Sequence, residues 1–232
     1  MPTILRPAML LFVVLPALAQ SGEELLARVD HLRHPWPSFT MELSLKAPRT
    51  SQRWKVSALE NGDARLDGLS EKELGRAVLL KGDQMWLLLP GAKRPVKVTP
   101  QQRMMGPAAG GDVARTRFRE DYSVETLAEE SLDGRACWRL DLTAKRLSVS
   151  ARHVVLWVTR ADSLPVKAEF RLASGKVART ALFGAPVQSH GQAVLSRMVI
   201  EEPSGARVEL LFANWGKGGV DAADFELPGP DR

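Results

Sequence analysis

The sequence predicts a mainly β protein: one large curled antiparallel sheet with helical cover on one face. Three observations carry that expectation. From about residue 38 onward, apolar residues recur at every second position in segment after segment. The segments are separated by short turns containing Gly, Asn, Asp or Pro. No helix-length spacer of the kind a parallel crossover requires lies between them. One short amphipathic helix precedes the first strand and brings an apolar stripe that needs a surface to cover.

The elements follow in order. Arg6 and the apolar run Ala8 to Ala19, ending in Ala17-Leu18-Ala19, read as a cleaved secretory signal over residues 1–19. The run is short for a bilayer span, and a retained anchor is the alternative. Residues 20–232 are then expected to form one domain. The chain carries 32 Lys and Arg against 27 Asp and Glu, a formal charge of +5. That charge is spread along the sequence, which suits an anionic surface or acidic partner and argues against a nucleic-acid partner. Cys137 is the single cysteine, so no internal disulfide forms and the core alone must hold the fold.

In SGEELLARVDHLRH, Ser21 and Glu24 have capping-box spacing, and Leu25, Leu26, Val29 and Leu32 share a face. Pro35 and Pro37 end the helix. The period then changes to two. Met41, Leu43 and Leu45 alternate with Glu42, Ser44 and Lys46, and Trp54, Val56 and Ala58 alternate with Arg53, Lys55 and Ser57. Asn61-Gly62 marks a tight hairpin. The stretch AVLLKGDQMWLLLPGAKRPVKV reads as three strands broken at Gly82-Asp83 and Pro90-Gly91. Residues 99 to 130 lose the alternation; REDYSVETLAEE is expected to hold a helical turn or two. Strands resume at ACWRLDLTA and continue to ARVELLFANW. About ten or eleven strands result. A sheet that large must curl, and a closed up-and-down barrel is the main competing architecture.

Little in the chain points to chemistry. His31 and His34 are three apart, but no further ligand stands near them, so helix-end polar residues are the expected reading. His153 and His190 stand alone. No nucleophile elbow, zinc-peptidase motif or phosphate loop is present. Glu129-Glu130 and Glu201-Glu202 are adjacent pairs, which point to opposite faces of a strand. Cys137, between Arg135 and Arg139, is expected to be an inert, partly buried thiol. No enzyme activity, cofactor or metal is expected.

What remains is apolar surface. Six tryptophans accompany a single tyrosine. A strand tryptophan is most often core, and the functional alternative is a groove for a lipid chain. The flexible methionines suit an irregular apolar cavity. The aromatic groove candidates are Trp54, Trp86, Trp138, Trp157 and Phe170. Met85, Leu88, Met104, Met105 and Leu140 complete the set. Within the stretch around Trp86, alternation puts Met85, Leu87 and Leu89 on one face and Trp86 and Leu88 on the other. Arg94 and Arg103, with Lys93 and Lys97, could meet anionic headgroups at the rim.

Four segments then carry a resemblance. MWLLLPGAKRPVKVTPQQRM resembles the W-x-Y/L-L-P-x-x-x-R-x-x-x-I/V-x-P-x-x-R-M segment of the outer-membrane lipoprotein-sorting (LolA-like) proteins. LDGRACWRLDLTAK is similar to that family's D-G element. VVLWVTRADSLPVKAEFRLASGKVART resembles its W-V strand, acidic turn and L-P-x-x-x-x-F strand, and DAADFELP its terminal D-x-x-x-F. The resemblance implies an incomplete β-barrel of LolA/LolB type, with helices over its mouth, in the periplasm of a Gram-negative-type bacterium. It also implies a monomeric carrier that shields acyl chains of lipoprotein or another lipid on the way to the outer membrane. An inner-membrane exporter and an outer-membrane acceptor would be its partners. The alternative is a non-carrier periplasmic module that works with an inner-membrane lipid exporter or as a folding or interaction factor.

Overall fold

The computed structural model describes residues 21–99 and 116–227. The expected secretion signal, the expected groove residues Met104 and Met105 and the rim candidate Arg103 lie outside the described residues.

Helix α1 (Gly22–His31) starts as the sequence requires. Ser21 Oγ accepts the Glu24 N–H at 3.2 Å, and Glu24 Oε2 accepts the Ser21 N–H at 3.1 Å. The two bonds satisfy donors that the first turn would otherwise leave open. Leu25, Leu26 and Val29 are fully buried, so the apolar stripe is the face that packs.

The N-terminal strands are β1 (Ser38–Ala47), β2 (Thr50–Leu59), β3 (Ala64–Gly68), β4 (Ala77–Lys81), β5 (Gln84–Leu88) and β6 (Val96–Val98). They pair consecutively as a meander. After the short helix α2 (Phe118–Asp121) come β7 (Tyr122–Leu132), β8 (Arg135–Ala144), β9 (His153–Thr159), β10 (Pro165–Arg171) and β11 (Val177–Phe183). The hairpin β12 (Pro186–Ser189) and β13 (Gln192–Leu195) leaves the sheet, which resumes with β14 (Arg197–Glu201) and β15 (Arg207–Lys217). β15 lies against β1 and joins the two halves into one 13-stranded sheet running from β6 to β7. Every pairing is antiparallel, and the sheet stays open: β6 and β7 are its two edges. The curled, unclosed sheet is therefore the architecture, and the closed barrel is not.

Fifteen strands form where about ten or eleven were expected. The excess comes mainly from β7 and the β12–β13 hairpin. α2 supplies a helical turn at the start of the stretch expected to hold one or two, and β7 occupies the rest. It is an edge strand whose outer residues are exposed, and a register shift between Val124 and Thr126 breaks its alternation, so its pattern is weak in sequence.

The sheet has two unlike faces. The concave face holds the main core, from Leu43 and Trp54 through Ile200 and Leu210 to Leu140 and Leu156, with α1 packed against it. The convex face is mostly charged, with two apolar islands. Cys137, Val155 and Trp157 form one. The other lies where a short 3-10 turn, Ala222–Phe225, packs on β3 and β4 and buries Phe225. Arg65 on β3 fixes this turn by donating to the Asp224 carbonyl at 3.3 Å.

Gly68 ends β3 at a close approach. A Cβ there would stand 2.1 Å from the Glu73 carbonyl oxygen. Its strand partner Trp54 faces the concave side, so the turn after β3 folds back over that side. Gly68→Ala must displace backbone and should destabilise the fold by about 2–3 kcal/mol. Urea unfolding followed by tryptophan fluorescence reads this; a loss below about 0.5 kcal/mol, the level of an ordinary surface change, contradicts it.

Candidate functional site

Alternation along β1 to β5 builds the wall of a cavity. Met41 pairs with Val56, Val56 with Leu66, Leu66 with Val78, and Val78 with Leu87. Because paired residues point to one face, this row presents five apolar side chains in succession. Parallel rows run through Phe39 and Ala58 and through Leu43 and Trp54, and Phe212 of β15 extends the latter. The cavity they enclose measures about 390 Å³.

The end of α1 caps it. Arg33 and His34 just beyond the helix, with Leu195 from the β12–β13 hairpin and Trp215 from β15, line this end. A polar clasp holds them in place. The Asp30 carboxylate accepts the amide N–H groups of Phe118 and Arg119, each at 2.8 Å. Arg33 donates to the Thr116 carbonyl at 2.6 Å, and its guanidinium lies 5.5 Å from the Phe118 ring centroid. Arg117 reaches the Glu60 carbonyl at the β2–β3 turn. Arg146 bridges Asp121 at 2.6 Å and Asp83 of the β4–β5 turn at 2.8 Å. The segment from Thr116 to Asp121 thus ties the helix to the tips of two hairpins.

Burial sets the electrostatics here. It raises Asp30 to about 6, against the two amide donors and Arg33, which favour the carboxylate. It lowers Arg33 to about 10, opposed by Asp30 and Asp121. Burial, reinforced by Arg33 and Arg117, pushes His34 down to about 3, so its ring is neutral and packs edge-on to Phe39.

The opposite end is bounded by the loops after β3 and β5. Here Leu74 is 60% exposed, and Leu69 and Leu89 are exposed as well. Gln52 and Arg76 are the polar lining residues at this end. Among the described residues no carboxylate side chain lines the cavity.

The residues singled out in the sequence divide cleanly. Trp54 and Met85 line the cavity. Trp86 and Leu88 do not: β5 turns Met85 and Leu87 inward, and one-residue alternation sends their neighbours to the convex face. Trp157 is also on the convex face, in the island with Cys137, where its Nε1 donates to Glu130 Oε1 at 3.0 Å. Leu140 and Phe170 are on the concave face but form solid core away from the cavity; Phe170 packs 6.5 Å from Phe118. Trp138 is on that face too, half-buried, with the Arg160 guanidinium 5.0 Å from its ring. Arg94 is exposed in the loop after β5 and is not a lining residue.

Sequence reasoning missed Arg33, His34, Arg76 and Trp215 as cavity residues. The spacing of His31 and His34 suggests a shared face, but His31 is exposed and meets Gln192 at 3.0 Å. Cys137 is fully buried, more than expected, and burial pushes its thiol up. Among the described residues no three His, Cys, Asp or Glu side chains group as metal ligands, and no helix is long and apolar enough to cross a membrane.

The open antiparallel sheet curled around an apolar cavity, with a helix across it, is the fold this chain shares with solved LolA-like proteins. A LolA superfamily protein from Nitrosomonas europaea is 28% identical, with a TM-score of 0.79 over 90% of this chain and 98% of that one. A putative outer membrane lipoprotein-sorting protein domain from Vibrio parahaemolyticus is 22% identical, with a TM-score of 0.71 over 88% and 95%. A DUF1329 family protein from Desulfovibrio piger is 18% identical, with a TM-score of 0.72 over the same shares. No curated protein matches in sequence. The chain belongs to the family whose profile matches residues 70–215 and bears the description "Uncharacterized protein".

The clasp has a pH signature. A carboxyl whose pKa is higher folded than unfolded contributes its full stability below the unfolded value, and loses it as pH rises through the folded one. For Asp30 the window runs from the ordinary 3.8 to about 6, and the loss is about 3 kcal/mol at 1.36 kcal/mol per unit. Asp30→Asn removes this titration. Its unfolding free energy relative to the parent should therefore rise between pH 4 and 6; parallel pH–stability curves would contradict the assignment.

Proposed function

We propose that this protein is a periplasmic carrier that takes the acyl chain of a lipoprotein or another lipid into the cavity and shields it on the way to the outer membrane. The observation that carries the reading is the apolar cavity of about 390 Å³ between β1–β5 and the end of α1. Small-ligand sites commonly measure about 300–1,000 Å³. A cavity in the lower part of that range suits one chain better than several.

The physical task is transfer. An acyl chain in water costs about 0.8 kcal/mol for each exposed methylene. A wall of Met41, Val56, Leu66, Val78 and Leu87 offsets that cost without directional bonds, so the occupant can slide in and out. No covalent step is needed, and the protein acts by binding alone. Residues 1–19 serve as the export signal in this reading, and residues 20–232 as the working domain. The occupant would enter at the end bordered by Leu69, Leu74 and Leu89, because the clasp at Asp30 and Arg33 holds the other end shut.

Delipidated protein titrated with an acylated peptide or a lipid should change its tryptophan fluorescence, since Trp54 and Trp215 are in the wall, and its melting temperature should rise. Val78→Trp fills the middle of the cavity. It should weaken binding by at least about tenfold, the equivalent of 1.4 kcal/mol, while the protein remains folded. Absence of any response in the parent protein, or full binding by Val78→Trp, would overturn the reading.

A further inference from the structure

We infer that the occupant is an amphiphile with an oxyanion head, a carboxylate or phosphate on a single alkyl chain, and that Arg76 grips this head at the cavity mouth. The inference rests on the carrier reading above and names the chemistry of its cargo.

Among the described residues two guanidinium groups, Arg33 and Arg76, line the cavity, and no carboxylate does. Their situations differ. Arg33 is buried and committed: it bonds the Thr116 carbonyl and lies in the field of Asp30 and Asp121. Arg76 is exposed at the mouth, and among the described residues no carboxylate stands within ion-pair distance of it. The acid nearest in sequence, Glu73, makes no ion pair with it. Its side chain is buried and held by Ser70 Oγ at 2.7 Å and Gln52 Nε2 at 3.2 Å, leaving only its backbone carbonyl to accept the Arg76 N–H.

The strand sets the aim of Arg76. Positions 76, 78 and 80 share a face, so Arg76 stands in line with Val78 and Leu80 in the apolar wall. Its backbone carbonyl accepts the N–H of Gly68, whose partner on the next strand is Trp54. At about 3.3 Å per residue, the four steps from Arg76 to Leu80 provide about 13 Å of apolar wall beneath the cation. A tail along that wall leaves its head level with Arg76, where a planar guanidinium can hold two oxygens at once.

The test uses four ligands with one hexadecyl tail, each below its micelle-forming concentration: palmitate, hexadecyl phosphate, hexadecanol and hexadecyltrimethylammonium. Affinities are read by tryptophan fluorescence on delipidated full-length protein, Arg76→Met and Arg76→Lys. The parent should prefer the two oxyanions to the alcohol by about tenfold, as a charge-assisted hydrogen bond provides. Arg76→Met, which retains an aliphatic stem, should abolish that preference yet still bind the alcohol. Arg76→Lys should restore part of it. Whichever of palmitate and hexadecyl phosphate binds more tightly identifies the head. Equal binding of all four by the parent, or an unchanged preference in Arg76→Met, overturns the assignment of Arg76 and leaves the carrier reading standing. Failure of all four to bind the parent overturns both.

Discussion

The cavity follows from a mismatch of areas. Thirteen strands at about 4.8 Å spacing give a sheet roughly 58 Å across, and its concave face is apolar from one half to the other. Helix α1 has ten residues. It is therefore about 15 Å long and, with side chains, about 10–12 Å wide. Such a helix can cover only part of that face. It packs where α2 and β7 meet it, and there the concave side is filled solid by Leu25, Leu26, Val29, Phe118 and Phe170. Over β1 to β5 nothing of comparable size is laid down among the described residues, and the uncovered wall becomes the cavity.

The same mismatch explains the polar clasp. A helix that packs on one part of a wide concave face is free to slide along it, because apolar contact alone is non-directional. Hydrogen bonds and ion pairs supply direction. Asp30 meets two amides of α2, Arg33 meets the Thr116 carbonyl, and Arg146 ties Asp121 to the β4–β5 turn. Burial makes these groups costly: it moves Asp30 up and Arg33 and His34 down. Their contribution is to place the helix end, and with it Trp215 and Leu195, across one mouth of the cavity. Removing one partner would leave the other buried and charged, which is worse than replacing both.

The sequence makes legible whatever depends on local period. The capping box of α1, the Asn61-Gly62 hairpin and the split of Met85 and Leu87 from Trp86 and Leu88 are all properties of neighbouring residues. What stays hidden depends on distant pairing. Trp138 and Trp157 sit in adjacent strands with similar apolar neighbours, yet one faces the concave side and the other the convex. The register of β8 on β9, which pairs Trp157 with Arg139, decides this. Phe170 alternates as well as Trp54 does, but it falls under α2 and Trp54 does not. Arg76 follows a glycine at the edge of a short strand, and only the fold reveals that it shares a face with Val78 and Leu80. β7 stays hidden because a register shift between Val124 and Thr126 breaks the alternation of its apolar residues and the rest of this edge strand is exposed.

A carrier must bind a poorly soluble chain tightly enough to hold it and selectively enough to choose it. On the proposed carrier reading, these two demands fall on different parts of this cavity. A tail that buries a dozen methylenes gains about 10 kcal/mol from leaving water, and the row from Met41 to Leu87 provides that gain to any alkyl chain. Affinity of this kind cannot discriminate between lipids. One cation at the mouth adds far less, about 1.5–3 kcal/mol for a charged hydrogen bond, but adds it only to a head that can accept. The buried end has no such role to play, since Arg33 is already bonded and His34 is neutral. On the proposed carrier reading, selection is confined to the open end, where water can replace the head as it leaves. A head held at a wet rim releases without the penalty of leaving a buried charge unpaired, so the tail can follow it out.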